Sequence, residues 1–214
     1  MSVKTDYLLS VLEKNDCRHL KGSLPLVTEK DIRKAGLYDE AQETYVELGG
    51  KGSFPVDPAP YAIELENAAI ILDDDLHFNR YRAITLRSQV YQKIKTVQVD
   101  NYKRFCRQFE SECIKAGIAG DRWTNQRSES FFGLSQQERG DLSGNGSAEW
   151  KYKAFRDYLT DLANVIFKHK VIRISIYDNL MVNNQLIQFN KLLLSRKEEN
   201  EKYVFNYLQR RLSN

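Results

Sequence analysis

The chain reads as an α/β protein built on a mixed four-stranded sheet flanked by helices. Four short stretches rich in β-branched and aromatic residues, 44–48, 61–65, 68–73 and 171–177, have the length and composition of strands. The segments around them carry apolar residues at helical spacing, and strands interrupted by helices pack as layers around one core. The bulk agrees. With 214 residues, 42% of them hydrophobic and only four prolines, the chain can fill one sizeable domain, 1–214, and leaves little room for disordered tracts.

Taken in order, Val3, Tyr7, Leu8, Val11 and Leu12 share a helical face. Thr28, with Glu29 and Asp31 behind it, reads as the cap of a second helix that Gly36 ends. Residues 44–48 are β-prone and stop at Gly49-Gly50. Beyond a loop with Pro55, Pro58 and Pro60, residues 61–65 and 68–73 read as two strands joined at Glu66-Asn67, short enough for a hairpin. From Asn79 the period turns helical. Ala83, Leu86, Val90 and Ile94 form the apolar stripe, with Arg80, Arg82 and Arg87 around its flanks. A further helix runs from about Asp100, its expected cap, to Gly117, with Tyr102, Phe105, Cys106, Phe109 and Cys113 on its apolar side.

Residues 118–147 lack a clear period and read as a long functional loop or an insertion. The glycines of 140–146 are not followed by the lysine and hydroxyl of a phosphate-binding P-loop. Ser147 then caps a helix carrying Phe155, Tyr158, Leu159, Leu162, Ala163 and Ile166 on one face. Residues 171–177 form the clearest strand, closed by Asp178-Asn179. A last helical region begins near Asn183, with the charged run 196–202 as a solvated face or a break between two helices.

Charge and cysteine usage narrow the function classes. No run of 18 apolar residues predicts a membrane span, and the first residues lack the basic-then-apolar pattern of a secretory leader. Three cysteines, an odd and sparse set without neighbouring histidines, suit free thiols in the core of a cytoplasmic protein. The net charge of +3 is uneven: 11 basic and 15 acidic residues in 1–90 give −4, and the 21 basic and 14 acidic residues beyond give +7. A basic C-terminal half is compatible with a polyanionic partner.

The segment Ile70-Ile71-Leu72-Asp73-Asp74-Asp75-Leu76-His77-Phe78-Asn79-Arg80 concentrates the chemistry. A buried strand delivers carboxylates and an imidazole to its end, and an arginine-bearing helix follows. Adjacent carboxylates repel unless they are solvated, capping a helix or holding a cation. Glu64, on the neighbouring strand, could bring a fourth carboxylate across the hairpin or point outward. Read as a solvated strand-end residue, Asp73 contributes within about 1 kcal/mol to stability.

This segment resembles the core signature of the very-short-patch-repair-type endonucleases of the PD-(D/E)xK, or restriction-endonuclease-like, superfamily. There a buried strand ends in acidic residues, a histidine follows shortly, and the next helix carries arginine. Residues 171–174, 178–181 and 183–184 are similar to that group's closing strand and final helix. The resemblance covers about 45–95 and 168–195 and makes about 98–167 a helical insertion. It implies a restriction-endonuclease-like fold and a metal-dependent endonuclease that hydrolyses phosphodiester bonds of DNA. Asp73 matches the family's aspartate and His77 its histidine, whereas the family's glutamate falls on Ile71 and its glycine on Asp74. Two readings stay open. In one, Glu64, Asp73 and Asp75 hold Mg²⁺ or Mn²⁺, with Asp73, His77 and Glu64 catalytic. In the other, the chain is a degenerate relative that binds DNA or a protein without cutting. Arg80, Arg82, Arg87, Lys151 and Lys153 are the expected DNA contacts, Lys168 and Lys170 could extend them, and a homodimer is left open.

Overall fold

The computed structural model describes residues 2–213. Helix α1 (Val3–Glu13) starts at Ser2, whose hydroxyl accepts from Thr5 N, and buries Tyr7, Leu8, Val11 and Leu12 as its spacing predicts. Helix α2 (Glu29–Lys34) has the expected start: Thr28 and Asp31 cap one another reciprocally, and Gly36 leaves the helix at φ 69°.

Helix α3 (Tyr38–Glu47) replaces the strand expected at 44–48. Ala41, Thr44, Tyr45 and Leu48 are buried at helical spacing, and Val46, which a strand would have used, is 55% exposed. Tyr45 decides the matter. Its ring lies fully buried among Phe54, Phe132 and Phe155, with centroids 5.1 to 6.5 Å away, and its hydroxyl donates to Phe131 O. Contacts of that extent outweigh a β propensity worth tenths of a kcal/mol.

Strand β1 (Ile63–Glu64) pairs antiparallel with β2 (Ala68–Asp73), closed by Leu65 N donating to Ala68 O, so the hairpin at Glu66-Asn67 forms. The crossover that leaves β2 contains all the helices up to the next strand. Helix α4 (Arg80–Thr85) ends early, and a 3₁₀ turn, Gln89–Gln92, takes over. The single helix expected to reach Ile94 is interrupted because Glu40 of α3 accepts from Ser88 Oγ and from Val90 N. Leu86, Val90 and Ile94 are buried nonetheless.

The next expected helix is likewise two, α5 (Val99–Gln108) and α6 (Glu110–Ala119), broken at Phe109, and Gln98 rather than Asp100 begins the first. Helix α7 (Gln126–Phe132), capped by Asn125, lies inside the segment expected to be irregular. Helix α8 (Ala148–Asp161) is capped by Ser147, as expected, and α9 (Ala163–Ile166) follows it. Helix α8 packs on α3, α4 and α7, with most of its residues buried.

Strand β3 (Lys170–Ser175) runs parallel to β2 in register, Ala68 opposite Lys170 and Asp73 opposite Ser175. The sheet order is β1-β2-β3, three strands rather than four. Strands β4 (Asn179–Val182) and β5 (Gln185–Gln188) form a separate hairpin where the last helical region was expected to begin. Its turn residues Asn183 and Asn184 have φ of 48° and 62°, the left-handed pair that a tight hairpin requires and asparagine tolerates. Helices α10 (Phe189–Ser195) and α11 (Glu198–Ser213) complete the chain, separated at Arg196, where the charged run is indeed a break.

The fold is therefore mixed α/β, with a small sheet and many helices. Among the described residues, no helix is long and apolar enough to cross a membrane. The three thiols are free, and burial pushes those of Cys106 and Cys113 up to about 12.

Candidate functional site

The acidic run at the end of β2 sends its three carboxylates to three different places. Asp73 turns inward and is fully buried; Arg173 donates to its Oδ1 at 2.7 Å and Tyr102 OH to its Oδ2 at 2.8 Å. Asp74 caps the 3₁₀ turn Asp75–His77, accepting from Leu76 N at 3.1 Å. Asp75 accepts from the hydroxyl of Tyr177, whose ring stacks on Phe109 at 3.6 Å. Asn79 then caps α4 through Tyr81 N and Arg82 N.

Glu64 does not join them. Its carboxylate accepts from Gly22 N and Leu24 N at 2.9 Å each, fastening the loop before α2. Burial pushes its pKa up, but those amides outweigh burial and hold it below the ordinary range. Pairing of Glu64 with Ala69 places it at the far end of β2 from Asp73. The metal set expected from Glu64, Asp73 and Asp75 is thus not assembled, and no group of three or more metal-type ligands occurs among the described residues. Asp73 is a poor ligand for a second reason: the Arg173 guanidinium already occupies the position a divalent cation would take.

Beneath the corner lies a buried ion network. Arg173, in the middle of β3, donates to Asp73, to Asp161 at 2.6 Å and to Asp157 at 3.2 Å. Arg82 reaches Asp161 at 2.6 Å, Thr85 and Tyr91, and Tyr91 OH completes Asp161 at 2.7 Å. Burial works against the charge of Arg173, but Asp161, Asp73 and Asp157 more than offset it, so its pKa lies well above the ordinary value. Burial likewise opposes ionisation of Asp157, yet Arg173, Lys153 and His77 hold its carboxyl well below the usual range.

Two guanidiniums against three carboxylates leave the network one negative charge in excess, and it meets solvent at His77 and Lys153. His77, on the turn after β2, is only 10% exposed; its Nδ1 lies 2.8 Å from Asp74 Oδ1 and its Nε2 2.9 Å from Lys153 Nζ. An ammonium offers only protons, so Nε2 accepts from Lys153, and Nδ1 meets Asp74 through both its backbone N at 3.1 Å and its Oδ1 at 2.8 Å. Asp157 Oδ2, buried and without a hydrogen-bond partner, is 3.8 Å from the same Nε2, and Asp73 Oδ1 is 3.2 Å away.

Lys153 borders a cleft of about 400 Å³ that also takes in Arg122, Arg127 and Arg156, with Glu149 as its one acid. Arg127 and Arg156 both lie 5.7 Å from the centre of the Tyr152 ring and share Asp57 at 3.0 and 3.2 Å. Arg122 is 3.6 Å from Glu149, a loose pair on an exposed side chain. The cleft reaches Leu76, on the turn that follows the C-terminal end of β2, the end of a strand at which open α/β sheets place their ligands.

Residues 43–195 match a family described as a family of unknown function, DUF7255. The chain belongs to that family. The matched region covers more than two thirds of the sequence and contains every element of the corner, the ion network and the cleft. No curated protein matches the chain, and no solved structure does.

The residues expected to contact DNA are dispersed within the family region. Lys153 lies in the cleft. Arg82 is 1% exposed and belongs to the core network, and Lys151 is buried, its amine donating to Asn145 Oδ1. Arg80 and Arg87 are exposed but border a different cleft, paired with Glu110 and Glu47. Lys170 donates to Leu212 O. Arg122, Arg127, Arg156, Arg173, Asp157 and Asp161 were not singled out by the sequence reading. Some signal existed: Arg173 interrupts an isoleucine strand, and Asp157 and Asp161 lie four apart and so share one side of α8.

Proposed function

We propose that the chain is a DNA-binding module that grips the sugar–phosphate backbone in the cleft beside His77 and does not cut it through Glu64, Asp73 and Asp75. The observation that carries this reading is the cleft itself: Arg122, Arg127, Lys153 and Arg156 converge at a strand-end corner with Glu149 as the only lining acid. Guanidiniums recognise phosphate oxygens through paired N–H donors, and the release of counterions from DNA favours such a surface. The resemblance of 70–80 to nuclease signatures supports DNA as the polyanion and a restriction-endonuclease-like ancestry for the fold. The commitment of Asp73 to Arg173 and Tyr102 supports binding over metal-dependent hydrolysis.

The test is fluorescence anisotropy with a labelled 20-base-pair duplex across a salt series. Dissociation constants in the range of about 10⁻⁴ to 10⁻⁶ M near physiological salt are expected. The exposed pair Arg122→Glu and Arg127→Glu should weaken binding at least about tenfold and reduce the log–log salt slope by about two. A slope that the pair leaves unchanged would remove the cleft from the interface. Plasmid nicking by the wild type in Mg²⁺ or Mn²⁺ would refute the non-cutting half of the proposal.

A further inference from the structure

A second cleft, of about 370 Å³, lies between α4 and α5, on elements that the Lys153 cleft does not use. Its volume falls within the range of about 300–1,000 Å³ typical of small-ligand sites. Arg80, Arg87, Lys103 and Arg107 stand around it, and Ala83, Ile84 and the buried Cys106 supply an apolar lining. The one lining acid, Glu110, is already spent: it accepts from Arg80 N at 2.8 Å, from Nε at 3.0 Å and from Nη2 at 2.8 Å. Lys103 and Arg107, one turn apart on α5, make no ion pair among the described residues. The cleft therefore presents uncompensated positive charge on one side.

Arg80 offers something different. Nε and Nη2 are held by Glu110 and Nη1 points to Leu142 O at 3.4 Å, so three of its five N–H donors are engaged and its guanidinium is anchored. Besides its two remaining N–H donors, such a group offers a ligand its flat face, which stacks on aromatic rings. A planar plate, an apolar lining and a pair of free cations together select a ligand with an aromatic ring at one end and a phosphate at the other.

We propose that the α4–α5 cleft binds a nucleoside phosphate unit, with the base against Arg80 and the apolar lining and the phosphate on Lys103 and Arg107. The unit can come from a free mononucleotide or from the phosphorylated end of a single strand. The site is independent of the duplex-binding cleft, and each can fail without the other.

Calorimetric titration of the full chain separates the possibilities. The probes are dAMP, deoxyadenosine, inorganic phosphate and a 5′-phosphorylated single-stranded octamer of dA. Saturable binding of dAMP is expected at least tenfold tighter than binding of deoxyadenosine or phosphate alone. The Lys103→Glu, Arg107→Glu double variant should lose at least tenfold for dAMP. Arg80→Lys, which keeps the charge and removes the plane, should bring dAMP down towards the level of phosphate. Arg122→Glu with Arg127→Glu should leave dAMP binding unchanged. In the Arg122→Glu, Arg127→Glu variant, where the backbone-binding cleft no longer contributes, affinity for the octamer no higher than for dAMP upholds the site and assigns it to free nucleotides, and tenfold tighter binding of the octamer upholds it and assigns it to strand ends. Binding of dAMP no tighter than that of phosphate, or insensitivity to the double charge reversal in a variant with wild-type thermal stability, would overturn the proposal.

Discussion

Replacing Asp73 by alanine should destabilise the protein severely, and the reasoning can be followed atom by atom. The side chain has no exposed surface, and both oxygens are taken: Oδ1 by Arg173 at 2.7 Å, Oδ2 by the Tyr102 hydroxyl at 2.8 Å. Truncation leaves a buried hydroxyl without its acceptor, which costs about 1–3 kcal/mol, and deprives a buried guanidinium of one of its three carboxylates. Breaking a buried pair from one side costs about 3–5 kcal/mol, and Asp157 and Asp161 remain to hold Arg173, so we expect a value within that range. For a domain of this size each kcal/mol lowers Tm by about 2–4 °C, which gives a fall of roughly 6–20 °C. Asp73→Asn keeps an acceptor for Tyr102 and should cost less than alanine. Urea denaturation followed by circular dichroism and tryptophan fluorescence reads all three proteins. A loss below about 1 kcal/mol for Asp73→Ala would refute the argument, because that is the value for a solvated strand-end carboxylate.

Three further outcomes follow from other parts of the structure. Arg82→Met should behave as a core lesion, costing about 3–5 kcal/mol in urea titrations, while the folded protein keeps the wild-type salt dependence of DNA binding; an altered salt slope would return Arg82 to the interface. Asp157 and Asp74 are held well below the ordinary carboxyl value of 3.8, so the stability they contribute is present above about pH 4 and is lost as pH falls through their folded values. The urea midpoint should accordingly drop between pH 4 and pH 2.5 and do so less steeply in Asp157→Asn, and equal slopes in the two proteins would contradict the linkage. Asn184→Val forces a β-branched residue to φ 62° and should cost about 1–2 kcal/mol, whereas Asn184→Gly should be neutral or stabilising; tolerance of valine would mean that the β4–β5 turn is not left-handed.

Local chemistry made much of the chain legible. The caps at Thr28 and Ser147, the tight β1–β2 connection, the buried runs 68–73 and 171–175 and the break in the charged segment after Ser195 each depend on residues within a few positions of one another. Reading failed where distant residues cast the deciding contact. Tyr45 is helical because Phe54, Phe132 and Phe155 surround it, and the helix after Asn79 stops because Glu40, far upstream, captures Ser88 and Val90. The Asn183-Asn184 turn is different: its left-handed signal was local, and the apolar spacing beyond it outweighed that signal.

The same division runs through the candidate site. By itself the sequence determined that carboxylates, a histidine and arginines gather after β2, and that the C-terminal half carries the basic surplus. Only the tertiary structure decided what each of them does. A hairpin fixes which strands are neighbours but not the loop that claims Glu64, and an aspartate looks the same in sequence whether it faces water or an arginine a hundred residues away. Burial and the identity of the partner settle the free energy of a charged group, and both are properties of the packed chain. That is why Asp73 and Arg82 moved from the surface to the core, and why Arg122, Arg127 and Arg156 emerged as a cleft only once α7 and α8 were folded against each other.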